Sequence, residues 1–225
     1  MIRAVLFDMD GTLFDTETVL YRVWQKMVDG GRLPADFMGL LPAMVGKIRS
    51  AISADLRAHY GADFPAEEIF ELRAELVKKE LDLCGVPLKP HVPQIFEELE
   101  ERGIRMALVT STSAPSVEDY MQRTGYGKYF SATVTGNRVS NGKPAPDCFL
   151  LAAKELGCAP EECLVVEDSH NGVRAGAAGG MRVILIPDIQ APTAEIQALA
   201  WRQCQSLAEV APLVDALNRD GGLTQ

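Results

Sequence analysis

The sequence predicts an α/β protein with a doubly wound parallel sheet and an inserted all-helical cap domain. Outside residues 17–103, short apolar runs alternate with helical patterns, and polar clusters follow three of those runs. Within residues 17–103 the patterns are helical only. A helical block that interrupts an alternating chain is typical of an inserted domain. We therefore expect an α/β core domain from residues 1–16 and 84–225, with residues 17–83 as the cap.

The first strand is expected at Ala4–Phe7, an apolar run that leads directly into Asp8, Asp10, Gly11 and Thr12. Side chains alternate along a strand and the glycine permits a sharp bend, so both carboxylates can point toward one pocket. Carboxylates together with backbone N–H groups suit a divalent cation and an anionic ligand, such as a phosphate ester held by magnesium. The alternative is an ordinary turn, because Asp and Gly are frequent turn residues.

The segment after this loop carries apolar residues at helical spacing. Three helices are expected, at Glu17–Val28, Pro42–Ala58 and Ala66–Leu83, with a break near Tyr60–Pro65. This segment contains no credible strand pattern, which supports an all-helical cap.

From residue 93 onward, helical and strand patterns alternate. Strands are expected at Arg105–Thr110, Ala132–Val134, Cys163–Val166 and Arg182–Ile186. Helices are expected at Pro93–Glu101, Val117–Gln122, Asp147–Leu156, Asn171–Ala178, Glu195–Leu199 and Leu207–Leu217, followed by a frayed tail at Asn218–Gln225.

Polar residues stand at the carboxyl ends of three expected strands. In a parallel sheet with right-handed crossovers these ends meet at one edge, where ligands bind. The pairs are Asp8 with Asp10, Thr110 with Ser111, and Glu167 with Asp168. The sequence thus predicts that the three pairs converge on one site.

Composition restricts the partners of the protein. The chain of 225 residues is 47% hydrophobic and 24% charged, which is ordinary for a globular enzyme. Its formal net charge of -9 disfavours nucleic acid, whereas a small phosphate ester can still be held by a local cation and amide dipoles. We therefore expect a small phosphorylated metabolite as partner and no nucleic acid.

Cysteine usage and hydropathy indicate the compartment. The five cysteines form no CxxC pair, which indicates reduced thiols: Cys84, Cys148, Cys158, Cys163 and Cys204. The amino terminus lacks the apolar region of a signal peptide, and no run of about 18 apolar residues is present to span a bilayer. We expect a cytoplasmic protein without membrane contact, as a monomer or weak homodimer.

Four segments in order resemble the motifs of the haloacid dehalogenase superfamily of phosphohydrolases. They are FDMDGTLFDT, LVTSTS, the lysine of NGKPAPDCF, and VVEDSHNGVRAGAAGG. The order and spacing match over nearly the whole chain, and the helical insert is similar to the small α-helical cap of that family. The resemblance implies a Rossmann-like core.

The resemblance also implies the roles of the acidic residues. Asp8 would be the nucleophile that forms an aspartyl-phosphate, and Asp10 the general acid and then the base for water. Mg²⁺ would be held by Asp8, the backbone carbonyl of Asp10 and Asp168. Glu167 would be a ligand through water or an orienting group beside it.

Further residues of these motifs are expected to contact the substrate. Thr110, or the adjacent Ser111, would hydrogen-bond the transferring phosphoryl group, and Gly11 and Thr12 belong to the same expected binding loop. Lys143 would balance the clustered negative charge. The alternative for Lys143 is a surface lysine before a proline turn.

In the cap, Arg49 is expected to contact the substrate, and Lys47 beside it, after Gly46, is an alternative. A solvated helix face is the other interpretation of these basic residues. The cap would close over the substrate and recognise its leaving group.

The acid at Asp10 favours phosphoryl chemistry, because the dehalogenase branch of the family lacks an acidic residue there. The cap and the Glu-Asp pair are similar to the group that holds β-phosphoglucomutase and sugar-phosphate phosphatases. Those mutases typically carry a histidine where this chain has Leu20, which favours a magnesium-dependent phosphatase of a small phosphorylated metabolite, with a sugar phosphate as the expected substrate.

Two further alternatives stay open at this stage. The cap lysines Lys47, Lys78 and Lys79 would allow a phosphonate hydrolase. A phosphorylation-switched receiver domain also uses an Asp, an acidic pair, a hydroxyl and a lysine, but in another order and without a cap.

Overall fold

The computed structural model describes residues 1–44 and 49–220. The chain divides into two compact units, one formed by Met1–Asp15 together with the chain from Val86 onward, and the other by Thr16–Gly85. Each unit has its own hydrophobic core.

The first unit is built on a parallel sheet. Its strands are β1 (Ala4–Phe7), β2 (Arg105–Val109), β3 (Ala132–Val134), β4 (Cys163–Glu167), β5 (Arg182–Leu185) and β6 (Arg202–Gln203). Within the described residues the order across the sheet is β3-β2-β1-β4-β5-β6, and every neighbouring pair is parallel. The predicted α/β fold with a doubly wound parallel sheet is confirmed.

Helices connect the strands and cover both faces of the sheet. In this unit they are α5 (Val92–Glu101), α6 (Ala114–Thr124), α7 (Asp147–Leu156), α8 (His170–Ala178), α9 (Ala194–Leu199) and α10 (Val210–Asp220). The helices of the second unit are α1 (Thr16–Asp29), α2 (Leu41–Met44), α3 (Arg49–Tyr60) and α4 (Ala66–Cys84).

The alternation of side chains along β1 explains the two-sided core. Val5 and Phe7 pack into a cluster that includes α5 and α10, whereas Ala4 and Leu6 pack into a cluster that includes α7 and α8. All four are fully buried. Burying a side chain as large as Phe7 contributes about 1.5–3 kcal/mol. β1 is paired with a strand on each side and buried on both faces, which makes it a central strand of the core.

The helical unit buries its own apolar face around Trp24. The Trp24 ring lies 4.9 Å from the ring of Phe37 and 6.2 Å from that of Phe70, measured between centroids. Since no strand is present among its described residues, the expectation of a helical segment agrees with the structure. No helix in the described part of the chain is long and apolar enough to cross a bilayer.

The structure differs from the sequence-based prediction at several elements. Part of the helix expected at Pro42–Ala58 lies outside the described residues: α2 and α3 are described on either side of residues 45–48. The helix expected at Leu207–Leu217 begins as a 3-10 turn, Leu207–Glu209, and continues as α10. The edge strand β6 has no counterpart in the prediction, because two exposed residues give no periodic pattern.

The tail also differs from the prediction. Fraying was expected from Asn218, but Asn218 lies in α10, and its side chain exchanges two hydrogen bonds with the backbone of Ile2. The Ile2 N–H donates to Asn218 Oδ1 at 2.5 Å, and Asn218 Nδ2 donates to the Ile2 carbonyl at 3.0 Å. These bonds fix the last helix beside the first strand. Residues 221–225 of the expected tail lie outside the described residues.

Candidate active site

The carboxyl ends of β1, β2 and β4 lie side by side. Phe7 is paired with Leu108 of β2 and Val166 of β4, and the Asp8 N–H donates to the Val166 carbonyl at 3.0 Å. The residues that follow these strands therefore share one edge of the sheet.

Lys143 joins the carboxyl ends of β1, β2 and β4. Its Nζ donates to Asp8 Oδ1 at 2.5 Å, to Glu167 Oε1 at 2.7 Å and to the Val109 carbonyl at 3.0 Å. The Lys143 side chain is only 6% exposed, so it is not the surface lysine of the alternative interpretation. A buried ammonium that makes three such bonds is held in one position.

Glu167 is fully buried, and both of its oxygens accept hydrogen bonds. Oε1 accepts from Lys143, and Oε2 accepts from the backbone N–H groups of Asp168 and Ser169 and from the Ser169 hydroxyl, each at 2.9 Å. These contacts favour the orienting role among the two alternatives for Glu167. The residue fixes the loop that carries Asp168.

Asp168 lies directly against the loop after β1. The Thr12 hydroxyl donates to Asp168 Oδ1 at 3.2 Å. A Cβ on Gly11 would lie 2.4 Å from Asp168 Oδ2, and Gly11 also has a φ of +85°, which L side chains rarely adopt. Gly11 is therefore required both by its conformation and by the close approach of Asp168.

The acidic side chains Asp8, Glu167 and Asp168 form a cluster whose ligand oxygens lie within 4.8 Å of one another. Burial raises the pKa of Asp8 well above its usual value, and the charges of Glu167 and Asp10 act in the same direction, against Lys143. Burial and the charges of Glu167 and Asp8 likewise raise the pKa of Asp168. Burial lowers the pKa of Lys143, but the charges of Asp8 and Glu167 outweigh it and raise the pKa overall.

Three carboxylates thus lie near a single ammonium group in a buried site. Their mutual repulsion disfavours the ionised state of Asp8 and Asp168. A divalent cation with hard oxygen ligands would remove this repulsion. The donor set fits Mg²⁺, with Asp8 and Asp168 as the carboxylates that would hold it.

Asp10 follows the bend after Asp8, and the loop after β2 approaches it. The Thr112 hydroxyl donates to Asp10 Oδ2 at 2.6 Å. The Thr112 N–H donates to the Thr110 hydroxyl oxygen at 3.0 Å. A hydroxyl that accepts this bond can still donate its hydrogen to a phosphoryl oxygen, so the placement of buried Thr110 suits its expected role.

Ser111 is exposed at the same edge, and its backbone is packed tightly. A Cβ on Gly136, which follows β3, would lie 2.4 Å from the Ser111 carbonyl oxygen. The loops after β2 and β3 are in direct contact at this point.

Arg49 begins α3 in the helical unit. Its Nε donates to Glu67 Oε2 at 3.1 Å, and its guanidinium lies 5.1 Å from the centre of the Phe70 ring. The alternatives Gly46 and Lys47 lie outside the described residues. Of the other basic cap residues, Lys78 pairs with Asp82 at 3.1 Å.

The structure adds residues that the sequence interpretation did not single out: Thr112, Ser169 and Gly172. Thr112 stood within the hydroxyl run after β2, but spacing alone does not show which hydroxyl reaches Asp10. Ser169 and Gly172 follow the Glu-Asp pair, and only the folded loop shows that both contact Glu167.

Comparisons with known proteins agree with this geometry. The haloacid dehalogenase-like hydrolase family matches residues 2–180. Protein CbbY of Cereibacter sphaeroides is 34% identical over 224 residues, which are 95% of this chain and 96% of that protein. Hexitol phosphatase A of Escherichia coli (strain K12) is 32% identical over 187 residues, 82% of each chain.

A solved structure supports the same relationship. The crystal structure of CbbY from Rhodobacter sphaeroides in complex with phosphate has a TM-score of 0.73 and 30% sequence identity, and the match covers 93% of this chain and 96% of that chain. The family match, the ordered motifs and the clustered carboxylates concur. This chain belongs to the haloacid dehalogenase-like hydrolases.

Proposed function

We propose that this protein is a magnesium-dependent phosphatase of a small phosphorylated metabolite, with a sugar phosphate as the expected substrate. The observation that carries the proposal is the buried contact of Asp8 with Lys143 beside Glu167 and Asp168. A relative named hexitol phosphatase and a related structure that contains phosphate support the substrate class.

In the first step, the Asp8 carboxylate attacks phosphorus, and the bond from phosphorus to the leaving oxygen breaks. An aspartyl-phosphate forms on Asp8, while Asp10 transfers a proton to the leaving oxygen. Lys143 holds the Asp8 carboxylate in place and offsets the negative charge of the phosphoryl group. Mg²⁺, when bound by Asp8 and Asp168, would supply a second positive charge beside that group.

In the second step, Asp10 takes a proton from water as the water attacks the phosphorus of the aspartyl-phosphate. The bond between phosphorus and the Asp8 oxygen breaks, phosphate leaves, and the Asp8 carboxylate is restored. Thr110 would donate its hydroxyl hydrogen to a phosphoryl oxygen in both steps.

The test is phosphate release from a panel of sugar phosphates and nucleotides, with Mg²⁺ and with chelator, using Asp8→Asn as the blank. We expect magnesium-dependent release in the wild type and none in the variant. Because Asn has nearly the same shape as Asp, the variant should remain folded. Full activity of Asp8→Asn would contradict the proposal.

Absence of release from every ester would instead favour the mutase alternative. That outcome is tested with β-glucose 1-phosphate and a bisphosphate primer. The presence of Leu20 where those mutases typically carry histidine argues against this result.

A further inference from the structure

The side chain of Thr112 contacts Asp10 from the neighbouring loop. The Thr112 hydroxyl donates to Asp10 Oδ2 at 2.6 Å, which is within the ordinary range for an O–H···O hydrogen bond. The two residues are 102 positions apart in the chain, so the contact exists only because β1 and β2 are neighbours.

Thr112 is itself fixed through its backbone. Its N–H donates to the Thr110 hydroxyl oxygen at 3.0 Å, and its carbonyl accepts from the Gly136 N–H at 3.2 Å. The absence of a side chain at Gly136 permits this approach, since a Cβ there would lie 2.4 Å from the Ser111 carbonyl oxygen. The hydroxyl that contacts Asp10 therefore belongs to a residue whose backbone is held by two hydrogen bonds.

We propose that Thr112 is the positioning residue for the proton that Asp10 transfers. The proposal rests on the proposed function, in which Asp10 is the general acid. The Thr112 hydroxyl donates to Oδ2 and thereby fixes one oxygen of the Asp10 carboxyl. This bond restricts rotation of the carboxyl and so helps to set the direction in which Asp10 transfers its proton.

The hydrogen bond from Thr112 to Asp10 also changes in strength during the reaction. As the proton passes from Asp10 to the leaving oxygen and the phosphorus–oxygen bond breaks, negative charge develops on the Asp10 carboxylate. The hydrogen bond from Thr112 then becomes charge-assisted and stronger. An interaction that strengthens in the transition state raises the rate of that step.

The effect depends on the ester. The alkoxide of a sugar is a poor leaving group and needs the proton, whereas p-nitrophenolate leaves almost without an acid. Thr112 should therefore matter for alkyl phosphates and hardly for p-nitrophenyl phosphate. A purely structural role would affect both esters equally.

The experiment compares kcat/KM for an alkyl phosphate, the preferred sugar phosphate of the wild type, with kcat/KM for p-nitrophenyl phosphate. This constant reports the steps up to departure of the leaving group. Thr112→Val removes the hydroxyl at nearly constant shape and retains the backbone bonds. Thr112→Ser restores a hydroxyl, and Ser116→Ala is the matched control that removes a hydroxyl from the adjacent α6.

We expect Thr112→Val to lower kcat/KM for the alkyl phosphate by about tenfold to a hundredfold, the range for a hydrogen bond to a charged group. The constant for p-nitrophenyl phosphate should change by less than about threefold, Thr112→Ser should recover most of the loss, and Ser116→Ala should match the wild type.

Equal losses for both esters, or no loss for the alkyl ester, would overturn the role of Thr112. An alkyl loss that Thr112→Ser does not recover would overturn it as well. If the wild type released phosphate from neither ester, the proposed function itself would fail, which is a separate outcome.

Discussion

The carboxylate of Glu167 occupies the space that a side chain on Gly172 would need. A Cβ built on Gly172 would lie 1.6 Å from Glu167 Oε1. Gly172 has no positive φ, so the packing of Glu167, and not the backbone conformation, accounts for the glycine in helix α8. The helix can begin directly beside the loop of Asp168 because this residue has no side chain.

Gly172→Ala should destabilise the protein. In an ordinary helix the change stabilises by about 0.5–1 kcal/mol. Here the methyl group would displace a buried carboxylate that accepts four hydrogen bonds, and overpacking costs about 1–3 kcal/mol. We expect a lower free energy of unfolding in urea and reduced activity.

The matched control is Gly39→Ala, since a Cβ at Gly39 would have no neighbour within 4 Å and its φ is not positive. That variant should be at least as stable as the wild type. A stabilised Gly172→Ala variant would show that Glu167 is not fixed at this position.

Lys143→Met should abolish most of the activity. The variant keeps a side chain of similar length but removes the ammonium that contacts Asp8 and Glu167. Breaking a buried ion pair from one side costs about 3–5 kcal/mol, so stability at neutral pH should fall as well. We expect kcat to fall by at least about a hundredfold, as for loss of a preorganised charge in an active site.

Lys154→Met, which changes an exposed lysine of α7, is the control. Comparable kcat values for the two variants would contradict the assigned role.

Magnesium should stabilise the folded protein independently of turnover. Mg²⁺ at a hundred times its dissociation constant adds about 2.7 kcal/mol to the free energy of unfolding. We expect Tm to rise with MgCl₂ relative to chelator, and Asp168→Asn to lose most of that rise. Sodium chloride at equal ionic strength controls for screening. An unchanged magnesium response in Asp168→Asn would place the metal elsewhere.

His91→Gly should stabilise the protein. Among the described residues, His91 is the only non-glycine residue with positive φ, at 69°. This left-handed conformation costs an L residue about 1–2 kcal/mol, a cost that glycine avoids. Part of this stabilisation is lost, because glycine also raises the conformational entropy of the unfolded chain. We expect the free energy of unfolding of His91→Gly to rise by several tenths to about 1 kcal/mol. The free energy of unfolding of His91→Ala should not rise.

The sequence was sufficient for the elements whose pattern is regular. The strand Ala132–Val134 and the helix Asp147–Leu156 were both predicted with their observed bounds. The convergence of the polar clusters followed from the parallel topology, because strand direction fixes which ends meet.

Contacts that depend on tertiary packing could not be predicted in this way. Spacing does not reveal that Thr112 contacts Asp10, or that Gly172 makes room for Glu167, since each pair is joined only after folding. Asn218 lies in a polar segment that is typical of a tail. Its two hydrogen bonds are made to Ile2, at the other end of the chain, so the local sequence does not reveal them.

The position of β1 at the centre of the sheet also sets the order in which the protein can be assembled during synthesis. Its two partners begin at Arg105 and Cys163, so the second partner emerges only after about three quarters of the 225 residues. At translation rates of about 5–20 residues per second, the strand that precedes Asp8 waits roughly ten to thirty seconds for it. During that time an apolar strand has an unpaired edge, and a ribosome-bound chain that stops before β4 cannot bring Glu167 and Asp168 to Asp8.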